Sequence, residues 1–241
     1  MIIAHLLSFG KLKAKMYNLV MSARSLMISP SILGGNFSNT ADDIAAIAAS
    51  GADYAHFDVM DGHFVPEITF GAKMIEDARP LTDLIFDVHL MIEKPELSVE
   101  RFAKAGAGII TVHAEATRHI WRTLTLIKEC GAEAGVAINP GTPVSFIESV
   151  LPLADYILVM TVNPGWSGQR FIPECMDKIA ELDQRRHDDG YGYLIEADGG
   201  IGLGNVKALF DAGMDMAVVG SAFFREDDKA AFVSQMQERC L

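Results

Sequence analysis

The sequence predicts an α/β fold built as a single (β/α)8 TIM barrel, and three observations predict it. From Met27 onward, short β-rich runs alternate with segments of helical length, eight times over. Glycine recurs just ahead of several of these runs, in Ser50-Gly51-Ala52-Asp53, Ala105-Gly106-Ala107-Gly108, Cys130-Gly131-Ala132-Glu133 and Ala212-Gly213-Met214-Asp215, where it would end a helix in the left-handed conformation. A chain of 241 residues, 50% hydrophobic and 22% charged, suits one large core and needs no second domain. Residues 27–241 are therefore read as the barrel, and residues 1–26 as an N-terminal extension that is disordered or not native.

The strands are expected at 27–33, 54–60, 84–91, 108–115, 133–139, 155–162, 193–198 and 215–221, each followed by a helix-length segment. Continuous apolar runs such as Tyr156-Ile157-Leu158-Val159-Met160 suit parallel strands covered on both faces. The extension differs in composition. It carries Lys11, Lys13, Lys15 and Arg24 with no acid, and the first acidic residue of the chain is Asp42. A secretory signal places its charges before the apolar run, whereas Lys11 to Lys15 follow it. An organelle transit peptide, a dispensable arm and a start codon set too early all fit. No apolar run reaches 18 residues, so no membrane-spanning helix is expected.

A formal net charge of -12 removes the broad attraction that nucleic acid or an anionic membrane requires. An anionic substrate would have to be held locally, by backbone amides. Cys130, Cys175 and Cys240 are odd in number and lack CxxC spacing, which argues against a disulfide framework or a thiolate zinc site and fits a reducing cytoplasm.

The carboxyl ends of barrel strands build the active site, and the polar residues fall there: Ser31, His56 with Asp58, Asp87 with His89, His113, Asn139, Asn163, and Glu196 with Asp198. Residues two apart share a strand face, so His56 and Asp58 point into the same space. Two histidines and two carboxylates can converge there on one ion. Burying such groups together is costly unless they are paired or bind metal. Taken singly, His113, Asn139 and Asn163 are more simply read as satisfying a neighbour. Glycine-bearing ends at Gly165 to Gly168, Gly199-Gly200 and Gly220-Ser221 offer backbone amides to a phosphate.

Several separated segments, in order, carry a resemblance: Ser29-Pro30-Ser31-Ile32-Leu33, His56-Phe57-Asp58-Val59-Met60-Asp61-Gly62-His63-Phe64-Val65-Pro66, Asp87-Val88-His89-Leu90-Met91, Val162-Asn163-Pro164-Gly165-Trp166-Ser167-Gly168-Gln169 and Asp198-Gly199-Gly200-Ile201. From about Met27 to the end, the chain resembles the ribulose-phosphate 3-epimerase family. The resemblance implies metal-dependent epimerisation at C3 of a ketose phosphate, D-ribulose 5-phosphate to D-xylulose 5-phosphate, by two-base proton transfer through a metal-stabilised cis-enediolate. It implies that His56, Asp58, His89 and Asp198 hold one divalent ion and that Asp58 and Asp198 transfer the protons. With such ligands zinc, iron(II), manganese or cobalt suit the site better than magnesium. It further implies substrate contacts from Ser31, His89 and Asp198, and phosphate contacts from Gly165, Trp166, Ser167, Gly168, Gly199, Gly200, Gly220 and Ser221. Met60, Met91 and Met160 would shield the intermediate from water, and the protein would be a homo-oligomer. Glu196 is read either as orienting a ligand or as a structural ion pair, and His63 as a residue of the loop rim.

Two segments depart from the family pattern. Gly34-Gly35-Asn36-Phe37 is richer in glycine than usual, which predicts a looser rim after the first strand. Gly165-Trp166-Ser167-Gly168 has Trp and Ser where pentose epimerases usually have Phe and Gly, which leaves D-allulose 6-phosphate open as the substrate. A sugar-phosphate-binding barrel without catalysis is a further alternative, which the two retained aspartates oppose. A decarboxylase would need a lysine among the strand-three aspartates, and Asp87-Val88-His89 has none.

Overall fold

The computed structural model describes residues 24–241. Eight parallel strands, β1 (Met27–Pro30), β2 (Tyr54–Met60), β3 (Ile85–Met91), β4 (Ile109–His113), β5 (Glu133–Ile138), β6 (Tyr156–Met160), β7 (Leu194–Asp198) and β8 (Met216–Val219), pair in the order β1-β8-β7-β6-β5-β4-β3-β2. The two ends of this sheet meet. Ser31 bridges to His56 in parallel, and the Asp53 amide donates to the Ile28 carbonyl at 3.0 Å, so β1 and β2 close the barrel. A (β/α)8 barrel is what the alternation predicted.

The two-residue period of each strand divides it between two environments. On β6, Ile157 and Val159 join the large apolar layer beneath the helices, while Leu158 and Met160 belong to a separate cluster with Ala137 and Val162. Tyr156 packs with Ile109 and Met216, each at the amino end of its strand, and plugs the bottom of the barrel. Register then places polar residues level with one another: His56 beside Asp87, Asp58 beside His89, and Met160 beside Asp198.

Helices α1 (Thr40–Ala49), α2 (Ala72–Ala78), α3 (Val99–Lys104), α4 (Ile120–Glu129), α5 (Met176–Asp189), α6 (Val206–Asp211), α7 (Ser221–Phe224) and α8 (Lys229–Glu238) cover the outside. Their buried faces follow helical spacing, as in Thr123, Leu124 and Ile127 of α4. Gly51, Gly106, Gly131 and Gly213 all have positive φ, as the repeated glycine signal predicted. Between β5 and β6 a 3-10 segment, Val144–Val150, replaces the expected α-helix. It lies between Pro143 and Pro152, and its buried residues Val144, Ile147 and Val150 recur at every third position, the period of a 3-10 helix.

Five strands, β1, β4, β5, β6 and β8, stop one to three residues short of the expected ends. Pro30 closes β1, and Ser31 instead caps a 3-10 turn at Ile32–Gly34 by accepting from the Leu33 amide at 3.2 Å. β8 ends at Val219, and Ser221 opens α7. The rim after β1 is closely packed rather than loose: Gly34 abuts the backbone of Gly220 and Ser221, and the Asn36 amide donates to Asp43 at 2.7 Å.

Residues 1–23 of the extension lie outside the described residues. Arg24 to Leu26 are part of the packed body: Leu26 is buried, and the Arg24 guanidinium sits 3.0 Å from Asp215 and 4.5 Å from the centre of the Phe210 ring. Among the described residues, no helix is long and apolar enough to cross a membrane.

Candidate active site

β2 and β3 present their polar pairs at the carboxyl ends, and β7 adds Asp198 from across the mouth. Ligand atoms of His56, Asp58, His89 and Asp198 all lie within 4.8 Å of one another, so the structure brings together the four residues singled out in the sequence. His56 Nε2 is 3.2 Å from Asp58 Oδ1, and His89 Nδ1 is 3.0 Å from the same oxygen. Ser31 donates to the other oxygen of Asp58 at 2.5 Å. The two imidazoles thus face the cluster through different nitrogens.

Behind His56, Nδ1 lies 2.6 Å from Asp87 and 3.5 Å from Glu196. A carboxylate behind an imidazole fixes which nitrogen carries the proton and leaves the other free to ligate. Ser29 in turn donates to Asp87 at 3.2 Å. Glu196 therefore sits against the back of His56 and outside the cavity.

Burial and charge pull these groups apart in acidity. Burial disfavours the ionised form of Asp58, but the His56 charge and hydrogen bonds from both histidines outweigh it and hold the carboxyl well below the usual range. Asp198 feels the His56 charge too, but it is outweighed. Burial first, then the charge on Asp58, pushes this carboxyl up to about 8. His56 is lifted well above its ordinary value because Asp87 and Asp58 overcome its burial. Burial lowers His89 to about 4, so it is a neutral imidazole at neutral pH. Glu196 is raised well above its ordinary value by burial and then by the charge on Asp87.

Above the cluster opens a cavity of about 450 Å³, lined by Ser31, Asp58, Met60, Met91, Met160 and Asp198 at its floor. Its wall is formed by the loops after β6, β7 and β8, including Gly165, Trp166, Ser167, Gly168, Gly199, Gly200, Gly220 and Ser221. Met60, Met91 and Met160 are almost fully buried, while Trp166 is 51% exposed at the lip. His89, to which the resemblance also gave a substrate contact, is fully buried and does not line the cavity. His63 stands exposed on the loop after β2, its ring 2.9 Å from the Asp61 carbonyl.

The glycine loops are held by specific bonds. Gln169 donates to the carbonyls of Asn163 and Trp166 at 2.6 and 2.9 Å, and Thr161 Oγ1 lies 2.9 and 2.6 Å from the carbonyls of Asp198 and Gly199. Gly199 and Gly200 have φ of 123° and 65°, and a side chain on Gly200 would strike the Phe171 backbone. Consecutive amides in such a turn suit an anion. Among the described residues, Arg225, at the end of α7, is the one cationic side chain on the cavity wall. Sequence reading passed over it; the available signal was an arginine one helical turn beyond Gly220-Ser221.

A divalent ion fits the donors present. Two imidazoles and two carboxylates, buried and drawn up within 4.8 Å, match the ligand preferences of first-row transition ions and zinc. They are poorly matched to one another without it, since the charge on Asp58 drives the Asp198 carboxyl toward its protonated form.

The chain matches the family model described as "Ribulose-phosphate 3 epimerase family" over residues 27–224. A relative from Synechocystis, "Ribulose-phosphate 3-epimerase", is 47% identical over 214 residues, covering 88% of this chain and 93% of its own. One of the same description from Bacillus subtilis is 46% identical, covering 88% and 98%, and one from Escherichia coli K12 is 44% identical, covering 89% and 96%. The solved structure of 3-keto-L-gulonate-6-phosphate decarboxylase from Vibrio cholerae superposes with a TM-score of 0.68 at 17% identity, over 90% of this chain and 97% of that one, and shares the fold. Matched over residues 27–224 by the family model and by relatives at 44–47% identity, the chain belongs to the ribulose-phosphate 3-epimerase family.

Proposed function

We propose that this family member interconverts D-ribulose 5-phosphate and D-xylulose 5-phosphate by exchanging the proton on C3. One observation carries the reading: Asp58 and Asp198 face one cavity from β2 and β7, with the first held ionised and the second pushed up to about 8. Inverting a carbon beside a ketone requires a base on one face and an acid on the other. Two carboxyls whose environments separate their acidities supply that pair. Asp58, steadied by Ser31, removes the proton from one face of C3, and Asp198 returns one to the opposite face. In the reverse direction the roles exchange.

His56, Asp58, His89 and Asp198 would hold one divalent ion, of zinc, iron(II), manganese or cobalt. Such an ion supplies positive charge where negative charge develops on the substrate oxygens. Met60, Met91 and Met160 give the reacting carbons an apolar, water-poor setting. Backbone amides of the Gly199-Gly200 and Gly220-Ser221 turns, with the loop Gly165 to Gly168, receive the phosphate, and Arg225 adds a charge beside them. The free thiols Cys130, Cys175 and Cys240 support a cytoplasmic setting.

Ser167 in the phosphate loop favours a second reading, the same reaction on D-allulose 6-phosphate, because a different side chain there alters the depth available to the sugar. Proton NMR in heavy water, with both sugar phosphates side by side, tests the assignment. Loss of the C3 proton signal with formation of xylulose 5-phosphate, faster than exchange in the hexulose, is the expected result. Faster exchange in allulose 6-phosphate would move the assignment, and exchange in neither would defeat it.

A further inference from the structure

His89 uses both ring nitrogens. Nδ1 faces Asp58 at 3.0 Å, and Nε2 faces Nε2 of His113 at 2.8 Å. Between two neutral imidazoles only one proton fits in such a contact, so one ring donates and the other accepts. On the far side of His113, Nδ1 lies 3.4 Å from Glu115 Oε2. Glu115 is an anchored acceptor: its other oxygen accepts from the Asn139 amide at 2.8 Å and from the Thr142 hydroxyl. Both histidines are completely buried, so bulk water does not compete for these contacts.

The direction of the whole chain follows from one requirement. A nitrogen that ligates a cation must present its lone pair. With His89 Nδ1 at the ion, the ring proton sits on Nε2 and is donated to His113. His113 then carries its own proton on Nδ1, pointed at the Glu115 carboxylate. The reverse direction would turn the His113 Nδ1 lone pair toward that carboxylate and place a proton on the ligating nitrogen of His89.

We propose that His113 and Glu115 are positioning residues that hold His89 in the Nε2–H tautomer and so keep its Nδ1 free for the ion. This rests on the reading of His89 as a ligand. The surroundings reinforce the arrangement. The His113 ring stacks on His89 with centroids 4.9 Å apart and packs on Phe64 at 4.7 Å. Glu115 lies on the 3-10 turn Ala114–Ala116 that follows β4. Lys178 of α5 donates to the carbonyls of Asn139, Pro140 and Thr142 at 2.8, 2.7 and 2.6 Å, clamping the loop after β5 that anchors Glu115. The orientation of His89 is thus tied to β4, to the β5 loop and to α5.

Glu115→Gln separates this role from a merely structural one. The glutamine keeps shape and volume, but its oxygen is committed to Asn139 and Thr142, so its NH2 group faces His113 Nδ1. That reverses the chain and puts a proton on His89 Nδ1. Metal-stripped full-length protein is titrated with zinc against a chromophoric chelator. The variant should bind zinc about 10–100-fold more weakly, while the unfolding midpoint of the metal-free protein stays at the wild-type value. Zinc affinity equal to wild type would overturn the proposal.

A second measurement needs no variant. In zinc-loaded wild-type protein labelled with 15N-histidine, long-range 1H–15N spectra should show His89 protonated at Nε2 and His113 at Nδ1. His113 protonated at Nε2 would overturn the proposal even if Glu115→Gln fails to fold. Failure of the wild type itself to bind zinc would defeat the ligand reading first, and is distinguishable because it does not depend on the variant.

Discussion

Lowering the pH from 8 to 6 should strip the metal site of most of its affinity, because the cation competes with protons on its own ligands. In the metal-free protein Asp198 titrates at about 8, raised by burial and by the charge on Asp58. A divalent ion competes with the proton on Asp198, so the apparent affinity falls as the ionised fraction falls. That fraction is about one half at pH 8 and about 0.01 at pH 6, a loss of the order of fifty-fold, equivalent to about 2 kcal/mol. His56 steepens the dependence, because its Nε2 must also give up any proton it carries and its pKa is shifted well above the ordinary imidazole value. Calorimetric titration with zinc at pH 7, in buffers of different ionisation heat, should therefore register release of about 0.9 proton from Asp198 and a further contribution from His56. Asp198→Asn removes the first contribution and keeps the second. The sign for folding runs the other way. A carboxyl whose acidity is weakened in the folded state stabilises the metal-free protein at low pH, and that contribution is lost as the pH rises from about 4 toward about 8. A zinc affinity that is flat between pH 6 and 8, with no proton released, would show Asp198 already ionised and would refute the assignment of its acidity.

Asp198→Asn, assayed at saturating metal, should still bind the sugar phosphate but lose epimerisation by about 10²–10⁴-fold; substantial C3 exchange in heavy water would count against its role as proton donor. Arg225→Gln removes that cation from the cavity wall. Exposed charges contribute little, about 1 kcal/mol or less, so KM for the sugar phosphate should rise up to about fivefold with kcat unchanged. The salt sensitivity of kcat/KM should weaken in the same variant. Arg186→Met breaks a buried network in which Arg186 pairs with Asp183 at 2.7 Å and with Asp215, and donates to the Gly213 carbonyl at 3.0 Å. Arg24 still pairs with Asp215, so the loss in urea unfolding should fall near the low end for a broken buried pair, about 3 kcal/mol.

What the sequence revealed of the site depends on one regularity, the two-residue period of a strand. His56 and Asp58 share a face whatever the neighbouring strands do, and so do Asp87 with His89 and Glu196 with Asp198. Their convergence needed only the expectation that barrel strands end at a common mouth. Register between strands is a separate matter, because a slip of one residue would turn every side chain of β3 to the opposite face. That register, His56 level with Asp87 and Asp58 level with His89, places a carboxylate behind one imidazole and leaves the other to His113. No run of letters fixes it. Glu115 was illegible for the same reason: its partners are an amide and a hydroxyl on the loop after β5 and a histidine on β4. Arg225 and the 3-10 segment at Val144–Val150 escaped for local reasons, since Arg225 reaches the cavity only through one helical turn, and the three-residue spacing of Val144, Ile147 and Val150 reads equally as a helical face. The identity of the ligands was thus available from single strands, whereas the protonation of each ligand is decided by residues on other strands. Exchanging His56 or His89 for alanine removes a donor atom and should abolish metal binding outright. Exchanging Glu115 should change only which nitrogen of His89 holds the proton, and a graded loss of affinity is what separates the two.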